Sequence, residues 1–340
     1  MIIVMAPGAT EEQIQNVIKR LEERGYGHHV SRGVERTLIG AIGAHESEKE
    51  AVASQLQTLA MVERVVPILR PYKLVSRELE REPVPVGIGA APFGAGHLSV
   101  IAGPCSIESQ EQTLEAARAV KGGGASVFRG GAFKPRTSPY DFQGLGEQAV
   151  EFMVQAREET GLPFVTEVMD VRQVALVAEK ADGLQIGTRN MANFDLLKEV
   201  GKVSKPVILK RGFAATVQEW LRAAEYVAAS GNLNIILCER GIRTFETDTR
   251  YTLDLAGMAW AKLETHLPVI VDPSHATGKH QLVPQMALAA VAAGADGLMI
   301  EVHPHPDQAM SDGPQSLTPR KFVRLMEDIR NVARAVGRQA

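Results

Sequence analysis

From residue 98 onward the chain alternates short apolar runs with amphipathic stretches eight times, and few folds accommodate that rhythm. The apolar runs cover residues 98–102, 126–130, 163–167, 183–186, 206–210, 234–238, 268–272 and 297–301, each β-branched or leucine-rich. Helical stretches follow them, among them 111–120, 146–160, 171–179, 216–229 and 282–293. Near-continuous apolar strands separated by helices predict a parallel sheet covered by helices on the outside. Eight such units in about 250 residues match the size of a (β/α)8 TIM barrel. An open doubly wound sheet is the competing α/β arrangement. Its phosphate-binding G-x-G-x-x-G is absent after the first strand, and Gly122, Gly123 and Gly124 fall at a helix end, where glycine reads as a C-cap.

The residues before the barrel have another cycle. Strands are expected at 1–5, 25–30, 36–42 and 62–69, with helices at 10–24 and 48–59. The first helix has a Thr10 cap, Gln13 at the capping-box position and an apolar stripe of Ile14, Val17, Ile18 and Leu21. The order βαββαβ is that of a small α+β ferredoxin-like domain, suited either to docking and oligomerisation or to sensing a small ligand. Nothing of ligand type accompanies His28 and His29, so no metal site is expected there. Pro71, Pro83, Pro85, Gly87, Gly89 and Pro92 surround a charged run at 77–82 and predict a linker. The expected domains are therefore 1–70, a linker at 71–92, and a barrel at 93–340.

Composition limits the partners. The 340 residues are long enough for two cores, and a net charge of -3 gives no basic footprint for nucleic acid or an anionic membrane. The apolar start lacks the length and basic flank of a signal peptide, and no apolar run reaches membrane-spanning length. A cytoplasmic location is expected. Cys105 and Cys238 are too few for a secreted disulfide framework, so both are expected as free thiols.

A barrel places its chemistry at the C-terminal strand ends. Reactive side chains cluster there: Cys105; Arg129 and Lys134; Glu167; Arg189; Lys210 and Arg211; Glu239 and Arg240; Asp272 and His275; Glu301, His303 and Asp312. Taken alone, Cys105 reads as a small buried hydrophobe. Its company changes that reading, because the first, seventh and eighth strand ends adjoin once a barrel closes. Cys105, His275, Glu301 and Asp312 together suit a divalent transition metal. Asp272 either supports a ligand or faces substrate, and His303 reads equally as a packing side chain or a ligand.

Arg129, Arg189, Lys210, Arg211 and Arg240 surround that centre and suit a small substrate carrying carboxylate and phosphate. Lys134, Pro135, Arg136, Thr137 and Ser138 form a loop able to take a second phosphate, although Arg136 alone also fits a solvated basic turn. Two anion sites flanking a Lewis acid describe a condensation of two phosphorylated metabolites.

The motifs A-G-P-C-S-I-E-S, F-R-G-G-A-F-K-P-R-T-S, Q-I-G-T-R-N, V-I-L-K-R-G, I-L-C-E-R-G, V-D-P-S-H-A-T-G and E-V-H-P closely resemble 3-deoxy-D-arabino-heptulosonate 7-phosphate (DAHP) synthases, which open the shikimate pathway of aromatic amino acid biosynthesis. The likeness runs from about residue 98 to the C terminus and is closest to the type I-beta branch, some of whose members carry a ferredoxin-like domain. The resemblance implies one divalent ion per subunit, of the Mn, Fe, Co, Zn or Cd class, on Cys105, His275, Glu301 and Asp312. It implies phosphoenolpyruvate on Arg129, Lys134, Arg189, Lys210, Arg211 and Arg240. Erythrose 4-phosphate is implied on Lys134, Pro135, Arg136, Thr137 and Ser138, with Asp272 facing it. Lys134 is the candidate for protonating the new hydroxyl, with Cys105 and His275 acting through the metal; Glu167 and Glu239 are candidates for activating water, a purely electrostatic or structural role being equally open to them.

The sister synthase that makes 3-deoxy-D-manno-octulosonate 8-phosphate from arabinose 5-phosphate shares G-P-C-x-x-E-S. Its loop usually reads K-A-N-R-S, so K-P-R-T-S favours the four-carbon sugar. A catalytically silent barrel kept as a regulatory subunit is a further alternative, disfavoured by the intact ligand quartet. The family also suggests a homotetramer. For the N-terminal domain the alternatives are a tyrosine or phenylalanine effector site and a role in assembly alone. Cys238, in an apolar strand, is expected in the core.

Overall fold

The computed structural model describes residues 1–32, 36–43, 48–66, 71–77, 83, 85–135 and 138–339. Arg136 and Thr137 lie outside the described residues. The chain divides into two compact units, Met1–Tyr72 and Lys73–Ala340.

In the first unit, β1 (Ile2–Met5), α1 (Glu11–Glu22), β2 (Gly27–Arg32), β3 (Thr37–Ile42), α2 (Lys49–Gln57) and β4 (Val62–Val66) follow the expected βαββαβ order. The sheet is antiparallel with strand order β2-β3-β1-β4, the ferredoxin-like arrangement. Helix α1 begins where the sequence signals it: the Thr10 amide donates to Gln13 Oε1 at 2.9 Å, and Thr10 Oγ1 accepts from the Gln13 amide. Ile14, Val17, Ile18 and Leu21 then share one core with Ile3, Met5 and Ile39 of the sheet.

The second unit is the barrel. Its elements run β7 (Ser99–Gly103), α3 (Gln110–Gly123), β8 (Val127–Arg129), α4 (Glu147–Thr160), β9 (Phe164–Val168), α5 (Val171–Lys180), β10 (Gly183–Ile186), α6 (Phe194–Val200) and β11 (Val207–Lys210). They continue with α7 (Val217–Ala229), β12 (Ile235–Glu239), α8 (Leu255–Glu264), β13 (Val269–Val271), α9 (Pro273–Thr277), α10 (Val283–Ala292), β14 (Gly297–Glu301) and α11 (Pro319–Ala335). The strands pair in parallel in chain order, and β14 closes on β7 with Gly297 opposite Ser99 and Glu301 opposite Gly103. Gly124 ends the α3 segment in the left-handed region, as its place in the sequence predicts.

The linker reading needs correction. Residues from Lys73 onward belong to the barrel unit, and β5 (Val86–Ile88) and β6 (Ala91–Phe93) form an antiparallel hairpin within the stretch expected to be irregular. Period-two alternation sends Val86, Ile88, Ala91 and Phe93 into one cluster with Ile101, Val127, Val165, Ile208, Ile236, Ile270 and Met299 from the barrel strands. Gly89, at φ +57°, makes the tight turn between the two strands. The Glu225 carboxylate of α7 anchors the entry to this unit by accepting from the Lys73, Leu74 and Val75 amides at 2.9, 3.0 and 3.1 Å.

The hairpin lies among the side chains that fill the barrel's interior, while the strands' other ends carry charge. Arg129 ends β8, Lys210 ends β11, Glu239 ends β12 and Glu301 ends β14. Gly103, at φ +153°, closes β7 where an added Cβ would stand 2.0 Å from the Arg129 carbonyl oxygen, so only glycine lets the chain turn toward Cys105 there. Among the described residues no helix is long and apolar enough to cross a membrane.

Candidate active site

The V-D-P-S-H segment shows how local sequence builds one corner of the site. Asp272 caps α9, its Oδ1 accepting from the His275 amide at 2.9 Å, and Pro273 occupies the first turn where no amide donor is needed. Asp272 Oδ2 sits 2.6 Å from His275 Nδ1 and 2.6 Å from Lys210 Nζ. A carboxylate on Nδ1 fixes the ring and turns Nε2 outward as the donor atom. That Nε2 lies 3.2 Å from Glu301 Oε1 and 4.0 Å from Asp312 Oδ2.

Cys105 completes the group from the loop after β7. Its Sγ is 3.1 Å from Asp312 Oδ2, 2.9 Å from Lys134 Nζ and 3.1 Å from Ser311 Oγ. Asp312 holds φ +53°, a left-handed conformation that aspartate tolerates better than bulky residues do. Glu301 Oε1 accepts from Arg129 NH1 at 2.6 Å. One ligand atom from each of Cys105, His275, Glu301 and Asp312 can be chosen so that all lie within 4.8 Å of one another.

Protonation follows from these contacts. Burial pushes the Cys105 thiol up to about 12, reinforced by Glu301 and opposed by Lys134. Burial also lowers His275 below the ordinary imidazole value, against the pull of Asp272 and Glu301. For Asp312, burial works upward but His275 and Arg250 outweigh it and hold the carboxyl low. Glu301 is likewise held low, burial being outweighed by His275 and Arg129. A neutral imidazole, two carboxylates and one thiol awaiting ionisation form a donor set that fits a divalent transition ion.

Beside this cluster lies a cavity of about 180 Å³ whose walls include Arg129, Lys134, Pro135, Arg189, Lys210 and Arg240. Arg240 is 4% exposed, yet its Nε and NH1 have no partner, and its guanidinium lies 4.3 Å from the Tyr251 ring and 5.1 Å from that of Phe213. A buried charge held with open donors is costly unless a ligand anion completes it. Glu167 also lines the cavity; Oε2 accepts from Gln185 at 3.2 Å while Oε1 is unpartnered, and burial raises this carboxyl against the pull of Lys134, Lys210 and Arg129.

Several expected site residues take other places. Arg211 is not among the cavity's lining residues; its NH1 is shared by Glu239 at 2.9 Å and Asp254 at 2.8 Å, which also occupies Glu239. Asp272 is fully buried between Lys210 and His275, the position of the ligand-supporting alternative. Ser138 is not a lining residue, and its Oγ accepts from the Tyr140 amide at 3.3 Å. His303 stands apart from the ligand group, its Nδ1 accepting from the His305 amide and its Nε2 3.5 Å from Glu108. Cys238 is buried in the barrel interior. Sequence reasoning missed Arg250 and Gln315. Arg250 NH1 reaches Asp312 Oδ1 at 3.2 Å and Gln315 Oε1 at 2.8 Å, and Gln315 Nε2 donates to Glu301 Oε2 at 2.5 Å. Only the position of Gln315 three residues beyond Asp312 was a usable signal.

Fold and site together define a barrel enzyme whose mouth sets four metal-type donors beside a pocket of buried cations. Comparison with protein families matches residues 84–336 to the DAHP synthetase I family and residues 1–70 to the DAHP synthase ferredoxin-like domain. The chain belongs to the DAHP synthetase I family. It is 48% identical to phospho-2-dehydro-3-deoxyheptonate aldolase of Thermotoga maritima, over 99% of both chains. The crystal structure of that aldolase, also called DAHP synthase, superposes with a TM-score of 0.80 at 47% identity, covering 99% of this chain and 98% of that one. A 2-dehydro-3-deoxyphosphooctonate aldolase of Nitrobacter winogradskyi is 35% identical over 71% of this chain and 90% of its own.

Proposed function

We propose that this enzyme condenses phosphoenolpyruvate with erythrose 4-phosphate and water to give DAHP and phosphate, in the cytoplasm, with one divalent ion per subunit. The observation that carries this reading is the four-donor cluster beside a buried guanidinium with open donors. Cys105, His275, Glu301 and Asp312 hold the ion, which when bound supplies Lewis acidity toward the aldehyde oxygen. Arg129, Arg189, Lys210 and Arg240 bind the carboxylate and phosphate of phosphoenolpyruvate, and Lys134 spans both substrates. The loop that Lys134 and Pro135 open, with Arg136 and Thr137, receives the phosphate of the aldose, and Ser138 closes the loop on the Tyr140 amide.

The methylene carbon of phosphoenolpyruvate attacks the aldehyde carbon, and Lys134 delivers a proton to the new hydroxyl oxygen. Water adds at the adjacent carbon, and C–O cleavage then expels phosphate. Glu167, with its unpartnered Oε1 at the cavity wall, orients that water; Glu239 is tied to Arg211. Arg211 and Asp272 act as supports, holding Glu239 and His275 respectively.

Phosphate release measured with each aldose tests the proposal. Erythrose 4-phosphate is expected to outrun arabinose 5-phosphate by ~100-fold or more in kcat/KM. Chelation is expected to abolish turnover and a divalent ion to restore it. Equal or better turnover with arabinose 5-phosphate would assign the sister reaction, and an unchanged rate after chelation would remove the metal.

The N-terminal unit has its own hydrophobic core and matches the family's ferredoxin-like domain. On that support we assign it an effector site for tyrosine or phenylalanine, in a homotetramer. The full chain should be inhibited by one of these amino acids, and deletion of residues 1–70 should abolish the inhibition while leaving basal turnover. Inhibition that survives the deletion would leave the domain only an assembly role.

A further inference from the structure

Both carboxylates of the four-donor cluster are held from outside. Glu301 Oε2 accepts from Gln315 Nε2 at 2.5 Å, and Asp312 Oδ1 accepts from Arg250 NH1 at 3.2 Å. The opposite oxygens point into the cluster: Glu301 Oε1 lies 3.2 Å and Asp312 Oδ2 4.0 Å from His275 Nε2, while Arg129 NH1 donates to that Oε1 at 2.6 Å and Cys105 Sγ to that Oδ2 at 3.1 Å. Arg250 NH1 also donates to Gln315 Oε1 at 2.8 Å. Arginine has only donors and an ionised carboxylate only acceptors, so the side chain between them must accept on one side and donate on the other. An amide does this in one orientation, and that orientation aims Nε2 at Glu301.

A carboxylate offers a cation one oxygen or two, and a donor that holds the oxygen turned away from the other ligands favours one; the inward Oε1 of Glu301 keeps a lone pair beside the one that accepts from Arg129. We propose that Gln315 and Arg250 are positioning residues that commit Glu301 and Asp312 to one donor oxygen each, so that the remaining coordination positions of the ion stay available to substrate. The inference rests on the metal reading of Cys105, His275, Glu301 and Asp312. Its parts are well placed for the task. Gln315 is buried in the turn Gly313–Gln315 that begins at Asp312, so one short segment carries both a ligand and the tether of another. Arg250 comes from the loop between β12 and α8 and joins that loop to the ligand segment. Catalytic metal sites need such an open position, and outer hydrogen bonds are a principal means of shaping them.

Cobalt(II) added to the chelator-treated full chain tests this without substrate. Wild-type protein should take up one cobalt ion, with visible d–d bands and a thiolate charge-transfer band. In Gln315→Leu the freed Glu301 oxygen should raise the coordination number. The d–d intensity should then fall while the charge-transfer band persists, and the Kd from chelator competition should rise roughly 10- to 100-fold. Arg250→Met repeats the test at Asp312 on a side chain 36% exposed, which keeps the question answerable if Gln315→Leu does not fold. A folded variant with the wild-type d–d spectrum and Kd overturns the assignment. Wild-type protein that takes up no cobalt overturns the metal reading itself.

Discussion

Cys105→Ser protein is expected to purify folded but to fail in the proposed condensation, with kcat/KM lower by ~10³-fold or more, about 4 kcal/mol of transition-state stabilisation. On the proposed metal reading the alcohol would not replace the thiolate as a borderline-soft ligand, and the three remaining donors would hold a divalent ion weakly. A second signature separates this loss from general damage. His275, Glu301 and Asp312 all stand below their ordinary pKa values and are unprotonated at neutral pH, so the thiol alone among the donors must lose a proton when the ion enters. A rise in pH lowers the cost of that ionisation. Wild-type affinity for the ion should therefore climb about tenfold per pH unit through neutrality, and that of Cys105→Ser should stay flat. Metal titration at several pH values reads both slopes; parallel slopes would remove Cys105 from the ligand set.

Arg240→Met should move activity and stability in opposite directions. The guanidinium is buried with two open donors, so on the proposed reading its removal would deprive phosphoenolpyruvate of charge-assisted hydrogen bonds. We expect kcat/KM for phosphoenolpyruvate to fall ~10²- to 10³-fold, about 3 to 4 kcal/mol, carried mainly by KM, with metal affinity unchanged. Methionine fills much of the vacated volume and needs no hydrogen bond. The ligand-free variant should therefore gain about 1 to 2 kcal/mol of folding stability, read from denaturant unfolding. A variant that keeps wild-type KM would place the anion elsewhere.

The barrel was legible because a buried parallel strand must be apolar along its length, and eight such runs leave little freedom. The grouping of Cys105, His275, Glu301 and Asp312 was legible because barrel closure makes the first and last strand ends neighbours. The Val86–Phe93 hairpin was not: its proline and glycine residues are those of a loop, and only the interior side chains awaiting Val86, Ile88, Ala91 and Phe93 make it a hairpin. Arg211 misled because its position at a strand end says nothing of which way a long side chain turns, and Asp254, which claims it, comes from a distant loop. For Asp272 the sequence left two readings open, support of a ligand or contact with substrate, since the lysine that packs on it lies on another strand. Arg250 carries no local pattern and Gln315 only its place three residues beyond Asp312; their contact exists only once two loops meet.

The seam between β14 and β7 fixes when the ligand cluster can come into being. A ribosome delivers Cys105 early and its imidazole and carboxylate partners almost last, so the nascent polypeptide offers no preassembled cation trap. The donors converge only when the ring shuts. On the proposed metal reading, ion uptake thus requires β14 to have joined β7, and a product of premature termination anywhere before β13 would carry Cys105 without the other three donors.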